Sequence, residues 1–269
     1  MRYQLLVLDI DGTVTNTEKK VLERTREAVI RLQEQGIHVV LASGRPPEGV
    51  YPVARTLELE RFSSYILAFN GARIIDVGLR RYVFEKTLPR HIPGRLLEDA
   101  LKNQVGVAVY QPGVIVAGTM PDCYMERESA VSKMPLRYCP EFMKKPNNPV
   151  NECLITGAPD ILDVLEPAFY HKYFHEVEVY HSEPFYLEVV PKNVDKAYGL
   201  KHLLRLLGIT KEEMVCCGDS YNDIRMLQCA GVGVAMANAE EAVKAVADYT
   251  TERDNDHDGI VEVIEKFFN

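Results

Sequence analysis

Apolar residues in this chain fall into two kinds of pattern: short unbroken runs that stop at polar clusters, and stripes of helical spacing that stop at glycine. The first run, Leu5-Leu6-Val7-Leu8, ends on Asp9-Ile10-Asp11-Gly12-Thr13. A near-continuous apolar run of strand length is the signature of a strand buried on both faces of a parallel sheet. Residues 18–35 then carry Val21, Leu22, Thr25, Ala28, Val29 and Leu32 at helical spacing, and Gly36 stops them. A second run, 37–42, ends in Ser43-Gly44-Arg45-Pro46 ahead of a helix over 47–58, and a third, 65–69, ends in Asn70-Gly71. The same rhythm returns late in the chain. A helix over 195–207 with Ala197, Leu200, Leu203, Leu204 and Leu207 on one stripe precedes a strand over 214–217, which stops at Gly218-Asp219-Ser220-Tyr221-Asn222-Asp223. Strands over 231–236 and 249–251, a helix over 239–247 and a final helix over 260–267 complete the prediction.

Between these halves the pattern changes. A helix opened by Pro93 runs to about Asn103, and two β-rich runs flank Gln111-Pro112-Gly113 as an antiparallel hairpin. Residues 118–150 read as Pro-rich and irregular, followed by a strand over 152–156, a helix over 160–173 and strands over 176–180 and 185–190. Hairpins with helices on one face make an α+β unit. The predicted fold class is therefore α/β: a doubly wound parallel-sheet core over 1–82 and 191–269, carrying an inserted α+β domain over 83–190.

Composition changes this picture little and narrows the partners. At 269 residues the chain is long enough for two domains, and 46% apolar with 26% charged residues is ordinary for a globular protein. Thirty-nine acidic against 31 basic residues leave a net charge of −8 without a basic block, which argues against nucleic acid as a partner. No run reaches the ~18 apolar residues of a membrane span. The first apolar run is cut by Asp9, against a signal peptide, and the six cysteines lack CxxC spacing. Buried, reduced thiols and a cytoplasmic location are expected.

Candidate chemistry gathers where the runs stop. Asp9 and Asp11, spaced by two in extended backbone, share one face, and two negative charges in a small space call for a cation such as Mg²⁺; the bland alternative is a solvated Asp-Gly turn. Ser43 stands before a helix N-terminus, as an anion ligand or a simple cap. Asn70-Gly71 is a strong hairpin turn that also falls where the third strand meets the site. Lys196 opens a helix against its dipole, which a bound phosphate would explain and solvation would not require. N-capping accounts for one polar residue of the Asp219 to Asp223 cluster, not for four. Asp254-x-Asp256-x-Asp258-Gly259 with Glu265 matches a calcium loop, but the strand-like 249–251 before it argues for a polar loop capping the last helix.

Taken together, Asp9-Ile10-Asp11-Gly12-Thr13, Ser43-Gly44-Arg45, Lys196 and Gly218 to Asp223 resemble, in order and spacing, the four motifs of the haloacid dehalogenase (HAD) superfamily, and the insertion resembles the cap of its Cof-type class IIB phosphatases. The resemblance implies a Rossmann-like HAD core and a cap that sets substrate specificity. It implies that Asp9 attacks the phosphoryl group to form an aspartyl phosphate, while Asp11 protonates the leaving oxygen and later activates water. Mg²⁺ would be held by Asp9, Asp219 and the Asp11 backbone carbonyl, with Asp223 orienting that shell. Ser43, Lys196 and Asn222 would bind phosphate, supported by Gly12, Thr13, Gly44, Arg45 and Asn70. Aspartate at both 9 and 11 favours phosphatase over dehalogenase chemistry. The expected partner is a small phosphorylated metabolite, foremost a sugar phosphate, with the oligomeric state left open. A phosphomutase and an inactive phosphometabolite sensor are the other readings; the intact residue set counts against the sensor.

Overall fold

The computed structural model describes residues 3–268. In chain order its strands and α-helices are β1 (Leu5–Leu8), α1 (Glu23–Glu34), β2 (His38–Ala42), α2 (Pro47–Thr56), β3 (Tyr65–Ala68), β4 (Arg73–Asp76) and β5 (Arg81–Glu85). There follow α3 (Ile92–Asn103), β6 (Gly106–Gln111), β7 (Val114–Ala117), α4 (Cys123–Ser132), β8 (Leu136–Tyr138), α5 (Pro140–Lys144), β9 (Cys153–Thr156), α6 (Pro159–Tyr173), β10 (Val177–Glu183) and β11 (Tyr186–Pro191). The chain closes with α7 (Lys196–Leu207), β12 (Met214–Gly218), α8 (Ile224–Cys229), β13 (Val232–Ala235), α9 (Glu241–Lys244), β14 (Tyr249–Thr250) and α10 (Gly259–Phe267). These divide into two compact units, Met1–Phe84 with Asp195–Asn269, and Glu85–Val194.

The first unit is built on a sheet ordered β14-β13-β12-β1-β2-β3-β4-β5. Pairing is parallel from β14 through β3, and β4 returns antiparallel to β3. Strand order runs outward from β1 to β2 and β3 on one side and from β12 to β13 and β14 on the other, so β1 and β12 flank the topological switch point. In an open α/β sheet that is where ligands bind, beyond the carboxyl ends of the strands. Leu5, Leu6, Val7 and Leu8 are fully buried, as are Met214, Val215, Cys216 and Cys217. Burying each such aliphatic side chain is worth about 1.5–3 kcal/mol, which fixes the two strands whose ends carry the polar clusters.

Helix α1 begins at Glu23 rather than near residue 18. Before it, Lys19 takes a left-handed conformation (φ +61°), and the Asn16 carboxamide accepts the Lys20 N–H at 2.9 Å. A local turn thus outcompetes helix over residues whose polarity offers no buried face. Helix α2 opens on Pro46 and Pro47 without a side-chain cap, so Ser43 does not cap it. The calcium-loop carboxylates are taken up by partners within the chain. Asp256 accepts the Thr17 N–H and hydroxyl, Asp258 accepts those of Thr25, and Asp254 accepts the Asp256 N–H. The carboxylates bind the chain's own backbone and hydroxyls, and Asp258 makes no side-chain cap on α10.

The second unit has a sheet ordered β10-β11-β9-β6-β7-β8, antiparallel except where β7 meets β8. Val107, Val109, Cys153, Ile155, Leu187 and Val189 point to one face and pack with Leu96 of α3 and Leu162 and Phe169 of α6. Residues 118–150 are not irregular throughout: they hold α4, β8 and α5. Asp122 starts α4 by accepting the Tyr124 and Met125 N–H groups. Only Met125 of that helix is buried, so no apolar stripe announces it. All six cysteines are free thiols, but only Cys153, Cys216 and Cys217 are buried, and Cys123 is exposed.

Candidate active site at the sheet switch point

The Asp9 N–H donates to the Cys217 carbonyl at 3.0 Å, extending the β1–β12 ladder by one residue, so Asp9 and Asp219 emerge from adjacent strand ends. Between them the chain places the ammonium of Lys196. Asp195 caps α7 by accepting the Tyr198 N–H at 2.7 Å, which orients the first turn and sends Lys196 inward, fully buried. Its Nζ donates to Asp9 Oδ1 and, at 2.6 Å, to Asp223 Oδ1. The other Asp223 oxygen accepts the N–H groups of Asp219 and Ser220, each at 3.1 Å, and so fixes the turn that carries Asp219. Thr13 Oγ1 donates to Asp219 Oδ1 at 2.9 Å. Gly12 adopts φ +81°, and a Cβ there would collide with the Asp219 carboxylate, so this position requires glycine on two counts.

Charge is unbalanced at this centre. Among the described residues, Asp9, Asp219 and Asp223 offer ligand oxygens within 4.8 Å of one another, against the single ammonium of Lys196. Burial, reinforced by Asp223 and Asp219, pushes Asp9 above the usual carboxylate range even though Lys196 pulls it down. Burial and Asp223 raise Asp219 to about 6 against the hydrogen bond from Thr13. Lys196 is held above its ordinary range, because Asp9 and Asp223 outweigh the burial that disfavours its charge. Crowded carboxylates short of positive charge form an all-oxygen donor set that fits a hard divalent cation such as Mg²⁺.

The other predicted residues form a second cluster. Asp11 turns its side chain away from the carboxylate group to Arg45 Nη2 at 2.6 Å and Lys19 Nζ at 2.8 Å. Burial works against its charge, but Arg45 and Lys19 outweigh it and hold Asp11 below the usual range. Ser43 is buried at the end of β2, and its Oγ accepts the Arg45 N–H at 3.2 Å. Gly44 leaves room for the Asn70 carboxamide, which a Cβ would crowd at 3.1 Å. Asn70 does sit in the turn between β3 and β4 (φ +50°, ψ +36°), and its Oδ1 also accepts from Asn222 Nδ2 at 3.2 Å. Turn and site positions coincide there.

Two residues of this region escape sequence reasoning. Lys19 reaches Asp11 from a polar stretch whose left-handed turn leaves no periodic signal, and Asn238 Nδ2 donates to the Gly12 carbonyl at 2.8 Å from the far side of the chain. Asn238 lies in Ala235-Met236-Ala237-Asn238-Ala239, a run that resembles the Cof-type subgroup in sequence but carries no pattern that assigns Asn238 a role.

Residues 6–264 match the family model of haloacid dehalogenase-like hydrolases. Over 267 residues the chain is 30% identical to the 5-amino-6-(5-phospho-D-ribitylamino)uracil phosphatase YcsE of Bacillus subtilis, spanning 97% of this chain and 94% of the relative. A crystal structure of a haloacid dehalogenase-like hydrolase from Bacteroides thetaiotaomicron, 42% identical, covers 99% of this chain and 100% of its own with a TM-score of 0.93. The HAD subclass IIB sugar phosphatase BT4131 shares the fold at 24% identity, with a TM-score of 0.81 over 98% of this chain and 99% of its own.

Proposed function

This chain belongs to the haloacid dehalogenase-like hydrolases and is a Cof-type phosphatase, and from that premise we propose that it hydrolyses small phosphorylated metabolites, foremost sugar phosphates, through an aspartyl phosphate on Asp9 with Mg²⁺ as cofactor. The observation that carries this reading is the buried ammonium of Lys196 gripping Asp9 at the switch point, with Asp219 on the adjacent strand end. A carboxylate so held has one oxygen fixed and the other available for in-line attack.

The chemistry then follows from the residues. Asp9 attacks phosphorus, the phosphorus–ester oxygen bond breaks, and Asp11, once it has left Arg45 and Lys19 and taken up a proton from solvent, gives that proton to the departing alkoxide. Water, losing a proton to Asp11, then attacks the same phosphorus, and the bond to Asp9 breaks to release inorganic phosphate. Ser43, Lys196 and Asn222 bind phosphoryl oxygens, and Asp223 positions both Lys196 and the Asp219 turn. Asp9, Asp219 and the Asp11 carbonyl are the residues to hold Mg²⁺, which when bound supplies positive charge to the phosphoryl oxygens. Selectivity among esters is assigned to the second unit, which holds none of these residues. A net charge of −8 fits a small ester rather than nucleic acid as partner, six free thiols fit the cytoplasm, and no described helix is long and apolar enough to cross a membrane.

Phosphate release from 4-nitrophenyl phosphate should depend on added Mg²⁺, stop with chelator, and be inhibited by Ca²⁺, whose looser coordination suits the octahedral site poorly. Full activity in chelator would overturn the metal assignment. A second measurement isolates Asp11. Asp11→Asn should slow hydrolysis of an alkyl phosphate by roughly 10²–10⁴-fold, the size of general acid catalysis, and slow the nitrophenyl ester much less, because nitrophenolate departs without a proton. Equal losses on both esters would remove Asp11 from the proton-donor role.

A further inference from the structure

Strand β10 carries a histidine where its alternation would continue an apolar face. Val177 and Val179 pack with Leu162, Leu165 and Phe169 of α6 in the core of the second unit. Alternation puts His181 next on that face. There the pairing of β10 with β11 shifts register between His181 and Glu183, a bulge of the kind that re-aims a side chain. Asp163 and Glu166, three residues apart on α6, meet the ring. Asp163 Oδ1 lies 3.4 Å and Glu166 Oε2 3.8 Å from His181 Nε2.

The Nε2 atom is the anomaly in this corner. Its ring partner Nδ1 lies 3.1 Å from the Glu183 carbonyl oxygen, which can only accept, so Nδ1 carries a proton. Nε2 is buried and makes no hydrogen bond. Bare, it turns a lone pair on two carboxylates; protonated, it aims its N–H at neither. A buried polar atom without a partner calls for an explanation. No lysine or arginine pairs with Asp163 or Glu166 among the described residues, so no fixed cation of the chain answers these carboxylates.

We infer that His181 Nε2, Asp163 and Glu166 hold a divalent transition-metal ion, Zn²⁺ by the chemistry of the donors, with water completing its shell. An imidazole nitrogen beside two carboxylates suits Zn²⁺, whereas Mg²⁺ takes oxygen throughout. Ligands about 2.1 Å from a tetrahedral ion stand roughly 3.4 Å from one another. That is the spacing of Nε2 from Asp163, and Glu166 is little further off. A metal-bound histidine almost always donates its second ring N–H to a carbonyl, carboxylate or water, which fixes its tautomer; the Glu183 carbonyl does this for His181. Asp163 is exposed and Glu166 partly so, which gives the ion a way in from solvent and leaves both carboxylates free to turn onto it. All four residues belong to the second unit, and none is among those assigned to phosphoryl transfer. The bound ion ties α6 to β10, an edge strand of that sheet.

Calorimetric titration of the full chain with Zn²⁺, in a constant excess of Mg²⁺, tests the site without reference to turnover. His181→Gln should weaken one Zn²⁺-binding event by at least about 10–100-fold, since loss of even a ligand's outer hydrogen-bond partner costs that much. Asp163→Asn and Glu166→Gln should each weaken the same event. Zn²⁺ taken up at Asp9 and Asp219 or by the exposed thiol of Cys123 persists in all three variants and cancels from the comparison. Thermal unfolding gives a second readout: Zn²⁺ should raise the midpoint of wild type more than that of any variant, by mass action on the folded state. Equal Zn²⁺ binding by wild type and His181→Gln would overturn the inference, as would binding by neither. So would binding that needs His181 but survives in both carboxylate variants, because the ion would then rest on the imidazole alone. Should His181→Gln fail to fold, Asp163→Asn at its exposed position carries the same comparison.

Discussion

Asp9→Asn is expected to reduce phosphate release to background, a loss on the order of 10⁴-fold or more, as for other covalent nucleophiles removed from an otherwise intact site. The carboxamide has the shape of the carboxylate but neither its charge nor its nucleophilic oxygen, so the aspartyl phosphate cannot form. Fold is spared: the residue 9 N–H still bonds the Cys217 carbonyl, and Lys196 keeps Asp223 as partner. Removing one of three crowded carboxylates also relieves repulsion, so the unfolding midpoint should hold or rise. Acid quench with labelled substrate reads the outcome directly. Wild type should trap an acid-stable, base-labile phosphoenzyme and Asp9→Asn none; label retained by the variant would place the nucleophile elsewhere.

Lys196→Met is expected to cost both activity and stability, which separates it from the nucleophile. The Lys196 side chain is fully buried, and so is its partner Asp223. Removing the cation between two buried carboxylates leaves them facing each other, a loss of about 3–5 kcal/mol for a broken buried pair. Methionine keeps the length and polarisability of the side chain, so the cost reports charge rather than a cavity. Because Asp9 and Asp219 also furnish the cation site, Mg²⁺ should raise the unfolding midpoint of the variant more than that of wild type, by mass action on the folded state. Equal stability of the two proteins without metal would show that Asp9 and Asp223 do not need Lys196, and the reading of its raised affinity for protons would fall with it.

The parts of the fold visible in sequence are those where one physical demand acts alone. Strands β1, β2, β3 and β12 are buried on both faces, so their apolar runs stand out, and each stops where a polar residue must face the site. Lys196 is visible because a cation at a helix start opposes the dipole; what holds it is not phosphate alone but Asp9 and Asp223. Helix α4 is hidden because its stability rests on the Asp122 cap and the single buried Met125, neither of which makes a periodic stripe. The turn at Lys19 and the side-chain direction of Asp11 are hidden because they depend on each other and on Arg45, across 34 residues of sequence. The apparent calcium loop is a local match decided by distant partners: Thr17 and Thr25 take the carboxylates that a short pattern would assign to an ion.

The pairing of β1 with β12 sets an order of events during synthesis. Leu8 finds its neighbour Cys217 only after 209 further residues have been made, and loop closure over such a distance is slow compared with local folding. All six strands of the Glu85–Val194 sheet leave the ribosome before Met214 does. The inserted sheet therefore holds every strand it needs while the β1-β2-β3 side still exposes the edge that β12 will cover. An exposed apolar edge is the feature that recruits aggregation, so the vulnerable interval of this chain's biogenesis lies between the completion of Val194 and the arrival of Gly218, and residues that speed β12 docking protect yield without touching catalysis.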